Sequence, residues 1–137
     1  MKVKYTNELI GLMGVFSRMS GVEVKDCFEY DDSVYFVVNV GSMGRALGKG
    51  GSTVRRIQET IKKKVKLVEF DADATKFVKN LVYPHIIDRA KLDGETLVIV
   101  SANRPTKGML IGRNAKNLNM MRDVVQRYFP IKDVRVE

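Results

Sequence analysis

Residues 46–57 read Ala46-Leu47-Gly48-Lys49-Gly50-Gly51-Ser52-Thr53-Val54-Arg55-Arg56-Ile57. Small hydrophobes lead into a glycine-rich tetrad that holds one lysine, and the stretch ends in the start of a basic amphipathic helix. Residues 110–121 repeat the plan 64 positions later as Leu110-Ile111-Gly112-Arg113-Asn114-Ala115-Lys116-Asn117-Leu118-Asn119-Met120-Met121. The match extends past the loops. Val54, Ile57, Ile61 and Val65 are spaced as one face of a helix. The same offset gives Leu118, Met121, Val125 and Phe129, all apolar, and pairs Lys49 with Arg113, Lys63 with Arg127 and Asn39 with Asn103. One offset that keeps an apolar stripe, loop charges and strand ends points to an internal duplication.

Composition narrows the class. The chain has 137 residues, 45% apolar and 29% charged, which are values of a folded chain with one ordinary domain or two small ones. No apolar run is long enough to span a bilayer, so no membrane role is expected. Leu9 to Phe16 is apolar, but Glu8 and Arg18 bracket it and it has no convincing cleavage site, so it reads as helix. The one cysteine, Cys27, excludes an internal disulfide and offers no thiolate cluster for zinc. The expected compartment is the cytoplasm.

Net charge is +8, and its distribution says more than its size. Residues 45–66 carry eight Lys/Arg against Glu59 alone, and residues 104–127 carry six against Asp123 alone. The remainder of the chain is therefore net acidic. Positive charge gathered around two loops fits the footprint of a polyanion.

The coarse reading runs as two similar units. The first has a helix over about 6–19, capped by Thr6 or Asn7, a strand over about 22–30 and a turn at Asp31-Asp32-Ser33. A buried strand from Val34 to Val40 follows, then a short helix, the tetrad, a long helix to about Lys64 and a strand from Lys66 to Phe70. The second has a helix over about 73–82 with Pro84 beyond it, a strand from Ile86 to Leu92 and a tight turn at Asp93-Gly94. A buried strand from Thr96 to Ala102, a short helix, the second loop, a helix to about Tyr128 and a strand from Lys132 to Val136 complete it. Each unit is thus α-β-β-α-α-β in an α+β fold, with domains at 1–71 and 72–137. Units this small bury a modest share of their surface, so they are expected to pack with a fixed relative orientation.

The loop chemistry follows from residue type. Glycines permit positive φ and remove the Cβ atoms that hold a ligand's backbone away. The helix that follows leaves its first N–H groups unpaired and points its positive end at the loop. A phosphodiester is a natural occupant. Lys49 adds a mobile charge, and Leu47, Val54 and Ile57 can line an apolar groove for bases.

Taken together, a Gly-x-x-Gly tetrad between two helices, preceded by a β-β pair and followed by a strand, resembles the loop of a KH domain. The α-β-β-α-α-β order resembles the type II form. Two such units, with Gly-Arg-Asn in the second, resemble the paired KH domains of the archaeal NusA-like family over residues 5–137. The resemblance implies a non-enzymatic single-stranded RNA-binding protein without cofactor or metal. It would act on nascent transcripts in transcription elongation or termination. The backbone clamps it implies are Gly48, Lys49, Gly50 and Gly51 in the first unit and Gly112, Arg113, Asn114 and Ala115 in the second. Residue type and position add Leu47 and Ile111 beside the loops, Lys116 next to the second, and Arg55 and Arg56 on the first turns of the long helix, which read equally as phosphate contacts or as solvent-facing charges. RNA polymerase or other transcription factors are further partners the resemblance suggests. The polymerase-binding region and S1 domain of bacterial NusA have no counterpart in this sequence, so a direct polymerase contact does not carry over. Ribosome assembly or translation is the alternative process, and a protein-interaction scaffold using the KH surfaces is the alternative class.

Ala115 departs from the motif, where glycine is common. At φ > 0 it costs on the order of 1 kcal/mol, and as an ordinary first helical residue it costs nothing. Gly44 to Gly50 approaches a Walker loop, but its first glycine is one residue too close and Gly50 stands where a hydroxyl belongs. His85 lacks a paired partner for catalysis, Cys27 reads as a small buried hydrophobe, and the five tyrosines read as scattered. Lys62, Lys63 and Lys64 are accounted for by the C-terminal end of their helix.

Overall fold

The computed structural model describes residues 6–137. Its elements, in chain order, begin with α1 (Asn7–Ser20), β1 (Val24–Tyr30), β2 (Ser33–Val38), α2 (Met43–Leu47), α3 (Ser52–Ile61) and β3 (Lys64–Glu69). They continue with α4 (Ala74–Val82), β4 (Arg89–Asp93), β5 (Thr96–Val100), α5 (Arg104–Ile111), α6 (Lys116–Tyr128) and β6 (Asp133–Val136). A single 3-10 turn precedes α3 (Lys49–Gly51) and another precedes α6 (Arg113–Ala115). The chain divides into two compact units, with the boundary between Phe70 and Asp71. Each unit holds one three-stranded sheet, ordered β1-β2-β3 and β4-β5-β6.

In the first unit, β1 and β2 form an antiparallel hairpin, with Tyr30 opposite Ser33. The turn residues Asp31 and Asp32 take φ of 49° and 62°, a conformation aspartate tolerates because its short side chain bonds locally. β3 joins β2 in parallel, placing Val34 beside Val65 and Phe36 beside Leu67. All six residues of β2 are buried. One face of the sheet gives Val34, Phe36 and Val38 to a core that also holds Leu9, Phe16, Ala46 and Ile57 from the helices. Phe16 stacks on Phe36 with ring centroids 4.4 Å apart. The other face carries Phe28, Tyr30 and Tyr35, with Phe28 and Tyr35 stacked at 4.8 Å. These two tyrosines are therefore clustered, against the expectation of scatter.

The second unit repeats the topology. β4 pairs antiparallel with β5, and β5 parallel with β6. Phe77 on α4 meets the rings of Tyr128 and Phe129 at 5.5 and 5.7 Å. Asp73 caps α4 by accepting from the Thr75 N–H at 2.9 Å, and Asn103 caps α5 by accepting from the Thr106 N–H at 2.9 Å.

Several boundaries differ from the sequence reading. β2 stops at Val38, and Val40 is 70% exposed. α3 ends at Ile61, where Lys62 takes φ 60° and closes the helix through its N–H to the Gln58 carbonyl. The Gln58 side chain then accepts from the Val65 N–H at 2.9 Å, so Val65 lies on β3 and not on the helical stripe. Lys63 does not serve the helix end; its ammonium meets Glu29 at 3.1 Å and Glu8 at 3.7 Å. β4 starts only at Arg89, leaving Ile86 82% exposed. The hairpin turn is Gly94-Glu95, since Asp93 still pairs with Thr96.

The duplication is also less uniform than one offset. The central strands open at Ser33 and Thr96, 63 residues apart, while the loops open at Gly48 and Gly112, 64 apart. The last strands open at Lys64 and Asp133, 69 apart. The additional length lies in the longer α6 and the segment after it.

Candidate nucleic-acid interface

The first loop is built by the end of α2. Gly48 closes that helix, donating its N–H to the Gly44 carbonyl at 3.1 Å, and takes φ 75°, ψ 171°. A Cβ there would stand 2.8 Å from both the backbone nitrogen and the Cβ of Thr53. Glycine is thus required twice at this position, by conformation and by space. Gly50 and Gly51 follow at φ 60° and 77°, and α3 begins at Ser52. The Gly51 N–H donates back to the Gly48 carbonyl at 3.1 Å, which closes the turn.

The second loop has the same backbone with different residues. Gly112 takes φ 74°, ψ 172°, and a Cβ on it would stand 2.8 Å from the Asn117 side chain. Asn114 and Ala115 take φ 55° and 59°, where the first loop has glycines. The Ala115 N–H donates to the Gly112 carbonyl at 3.1 Å, as Gly51 does to Gly48. Ala115 is therefore in the left-handed conformation, the costly reading of that position.

The candidate residues fall into three groups. Lys49, Gly50, Arg113 and Asn114 are exposed on the loops, and Leu47 and Ile111 lie on their rims, with Leu47 39% exposed. Gly48, Gly51, Gly112, Ala115 and Lys116 are half-buried in the loop walls. Arg55 and Arg56 are exposed on the first turns of α3, and the Arg55 guanidinium donates to the Gly50 carbonyl at 2.6 Å. Ile57 does not line a groove. It is fully buried with Ala46 in the core, and Val54 packs half-buried against that core. The Arg56 position corresponds to Met120 in the second unit, which is buried, so the two helices present different faces.

Thr53 is a residue that sequence reading missed, and Asn117, which reads there as a polar helix residue able to bond backbone or base, is its counterpart. Each sits five residues after the first glycine of its loop and fills the space a Cβ would take. Asn117 also donates its side-chain amide to the Met109 carbonyl at 2.7 Å, tying α6 to α5. The signal was present as a polar residue at the same offset in both copies.

The charge footprint is tighter than the sequence windows. Lys63 is paired with acids, and the Lys66 ammonium lies 5.4 Å from the Tyr35 ring centroid. Lys62 caps the far end of α3 and Lys64 opens β3. Arg45, Lys49, Arg55 and Arg56 remain on the loop side of the first unit. Arg104, Lys107, Arg113 and Lys116 occupy the matching elements of the second. No group of His, Cys, Asp and Glu among the described residues could hold a metal ion. No helix among them is long and apolar enough to cross a membrane.

Each loop thus presents turned backbone and cations at the N-terminus of a helix of ten residues (α3) or thirteen (α6), where the dipole favours an anion. A KH-domain model matches residues 13–72, which contain the first loop and its flanking elements. A probable transcription termination protein NusA from Methanocaldococcus jannaschii is 30% identical over 98% of this chain and 75% of its own length. The chain belongs to the archaeal NusA-like family. The relative of the same name from Halobacterium salinarum is 30% identical over 99% of both proteins. The crystal structure of APE1850 is 27% identical, with a TM-score of 0.74 over 97% of this chain and 100% of that one. In this NusA-like chain, the two three-stranded sheets with their helices fit two KH-like units.

Proposed function

We propose that this NusA-like chain is a non-enzymatic, cytoplasmic protein that binds single-stranded RNA through two type II KH domains, residues 1–71 and 72–137. It acts on nascent transcripts in transcription elongation or termination. The phosphate-facing residues are Gly48, Lys49, Gly50 and Gly51 in the first domain, with Gly112, Arg113, Asn114, Ala115 and Lys116 in the second. Leu47 and Ile111 supply apolar rims against bases, and Arg56 adds charge beside the first loop.

One observation carries this reading. The second loop keeps the backbone of the first to within 18° in φ at its three positive-φ positions although alanine occupies a left-handed site. A left-handed turn held in both copies, by glycines in the first and at a cost to Ala115 in the second, each at a helix N-terminus with cations beside it, is what a shared backbone ligand selects. The names of the NusA relatives support transcription as the process, and the match to the KH model supports RNA as the ligand.

The reading is tested by titrating the chain with a short single-stranded RNA across a salt series. Affinity is expected to fall with salt, by about 0.7 in the log–log slope for each phosphate neutralised. Salt-insensitive binding, or none, contradicts it and favours a protein-interaction scaffold. Crosslinking in cells with sequencing of the bound RNA tests the process: nascent messenger transcripts are expected, and ribosomal precursors would move the role to ribosome assembly.

A further inference from the structure

One peptide plane in the first loop is held at both ends. The Gly51 N–H donates to the Gly48 carbonyl at 3.1 Å, and the Gly50 carbonyl accepts from Arg55 at 2.6 Å. These groups are the two ends of the Gly50–Gly51 amide, and in a trans peptide they point in opposite directions. Glycine on both sides leaves such a plane with little steric resistance to rotation. Half a turn would exchange its ends and change which dipole the loop presents to an anion.

The second loop restrains the same plane differently. Its Ala115 N–H donates to the Gly112 carbonyl at 3.1 Å, and the Cβ atoms of Asn114 and Ala115 restrict the alternatives. The position matching Arg55 is Asn119, whose side chain accepts from Arg122 at 3.0 Å. Two glycines and a bracing arginine occur together in one copy and are replaced together in the other.

We infer that Arg55 is a positioning residue that locks the Gly50–Gly51 peptide in its RNA-receptive orientation and does not itself ligate a phosphate. This rests on the reading of the loop as an RNA-backbone site.

The test compares the full chain, Arg55→Ala, and Arg55→Ala combined with Gly50→Asn and Gly51→Ala, which imports the second loop's restraint. The probe is a short single-stranded RNA of mixed sequence, titrated over a salt series. If the receptive orientation falls to roughly a fifth of the population, apparent affinity falls about fivefold for Arg55→Ala. The salt slope stays at the wild-type value. A slope lower by about 0.7 identifies Arg55 as a phosphate ligand and overturns the proposal. A second readout needs no RNA: amide exchange at Gly51 is expected to quicken in Arg55→Ala and to slow again in the triple variant. Unchanged exchange in Arg55→Ala overturns the brace. Failure of the wild-type chain to bind RNA overturns only the ligand reading.

Discussion

Gly48 and Ala115 show how differently one motif can weigh on its residues. Gly48 takes φ 75°, ψ 171°, a region essentially reserved for glycine, and Thr53 occupies the space a side chain would need. Gly48→Ala is expected to destabilise the first unit by about 2–3 kcal/mol, read as a lower urea midpoint. Ala115 is left-handed at φ 59°, so Ala115→Gly relieves backbone strain and loses some unfolded-chain restraint. The net expectation is a gain of about 0.5–1 kcal/mol in the second unit, measured by the same unfolding experiment. That the tetrad is a turn between helices is legible in its glycines. Whether Ala115 is left-handed is not, because alanine suits both a strained turn and a first helical residue. The bond from its N–H to the Gly112 carbonyl decides, and that bond exists only once the chain has turned. Cys27 is a simpler case. Burial, with Asp26 and Glu29 nearby, pushes its thiol up to about 12. Its reaction with a thiol reagent at neutral pH should be slow in the native protein and fast after unfolding.

At the scale of elements, periodicity identified helices and strands but misplaced several of their ends. The apolar stripe through Val65 looked continuous because β3 follows α3 after only a short connection. What breaks it is Lys62 in a left-handed cap and the Gln58 side chain holding the Val65 N–H. Ile86 read as strand from its type alone, yet β4 begins at Arg89, after the Asp88 N–H has paired with the Val100 carbonyl. Caps were more legible. Asn103→Ala removes the acceptor for the Thr106 N–H and should cost about 1 kcal/mol. Asp73 has its carboxyl held below the usual range, first by the hydrogen bond from the Thr75 hydroxyl and then by the Thr75 N–H. A carboxyl lowered in the folded state adds stability above its unfolded pKa and loses it as pH falls through the folded value. The Tm of the wild type should therefore drop more than that of Asp73→Asn on acidification.

For the whole molecule, the duplication and the clustering of charge around two loops were the informative signals. The separate offsets of 63, 64 and 69 residues mark where the copies diverged: hairpin and loop kept step to within one residue, and the extra length entered in α6 and the segment between it and β6. Charge windows overstated the footprint because Lys63 and Lys66 turned to acids and an aromatic ring within the fold. Such pairings join positions far apart in sequence, which no local pattern reports. The central claim is that the Gly48–Gly51 loop grips RNA. It is tested most directly by RNA binding of a variant carrying Lys49→Asp and Gly50→Asp, with circular dichroism confirming its fold. Aspartate suits the Gly50 conformation, as Asp31 and Asp32 show at φ 49° and 62°. The folded variant is expected to lose single-stranded RNA binding at the first loop and most of the affinity of the chain. Wild-type affinity in that folded variant would contradict the account.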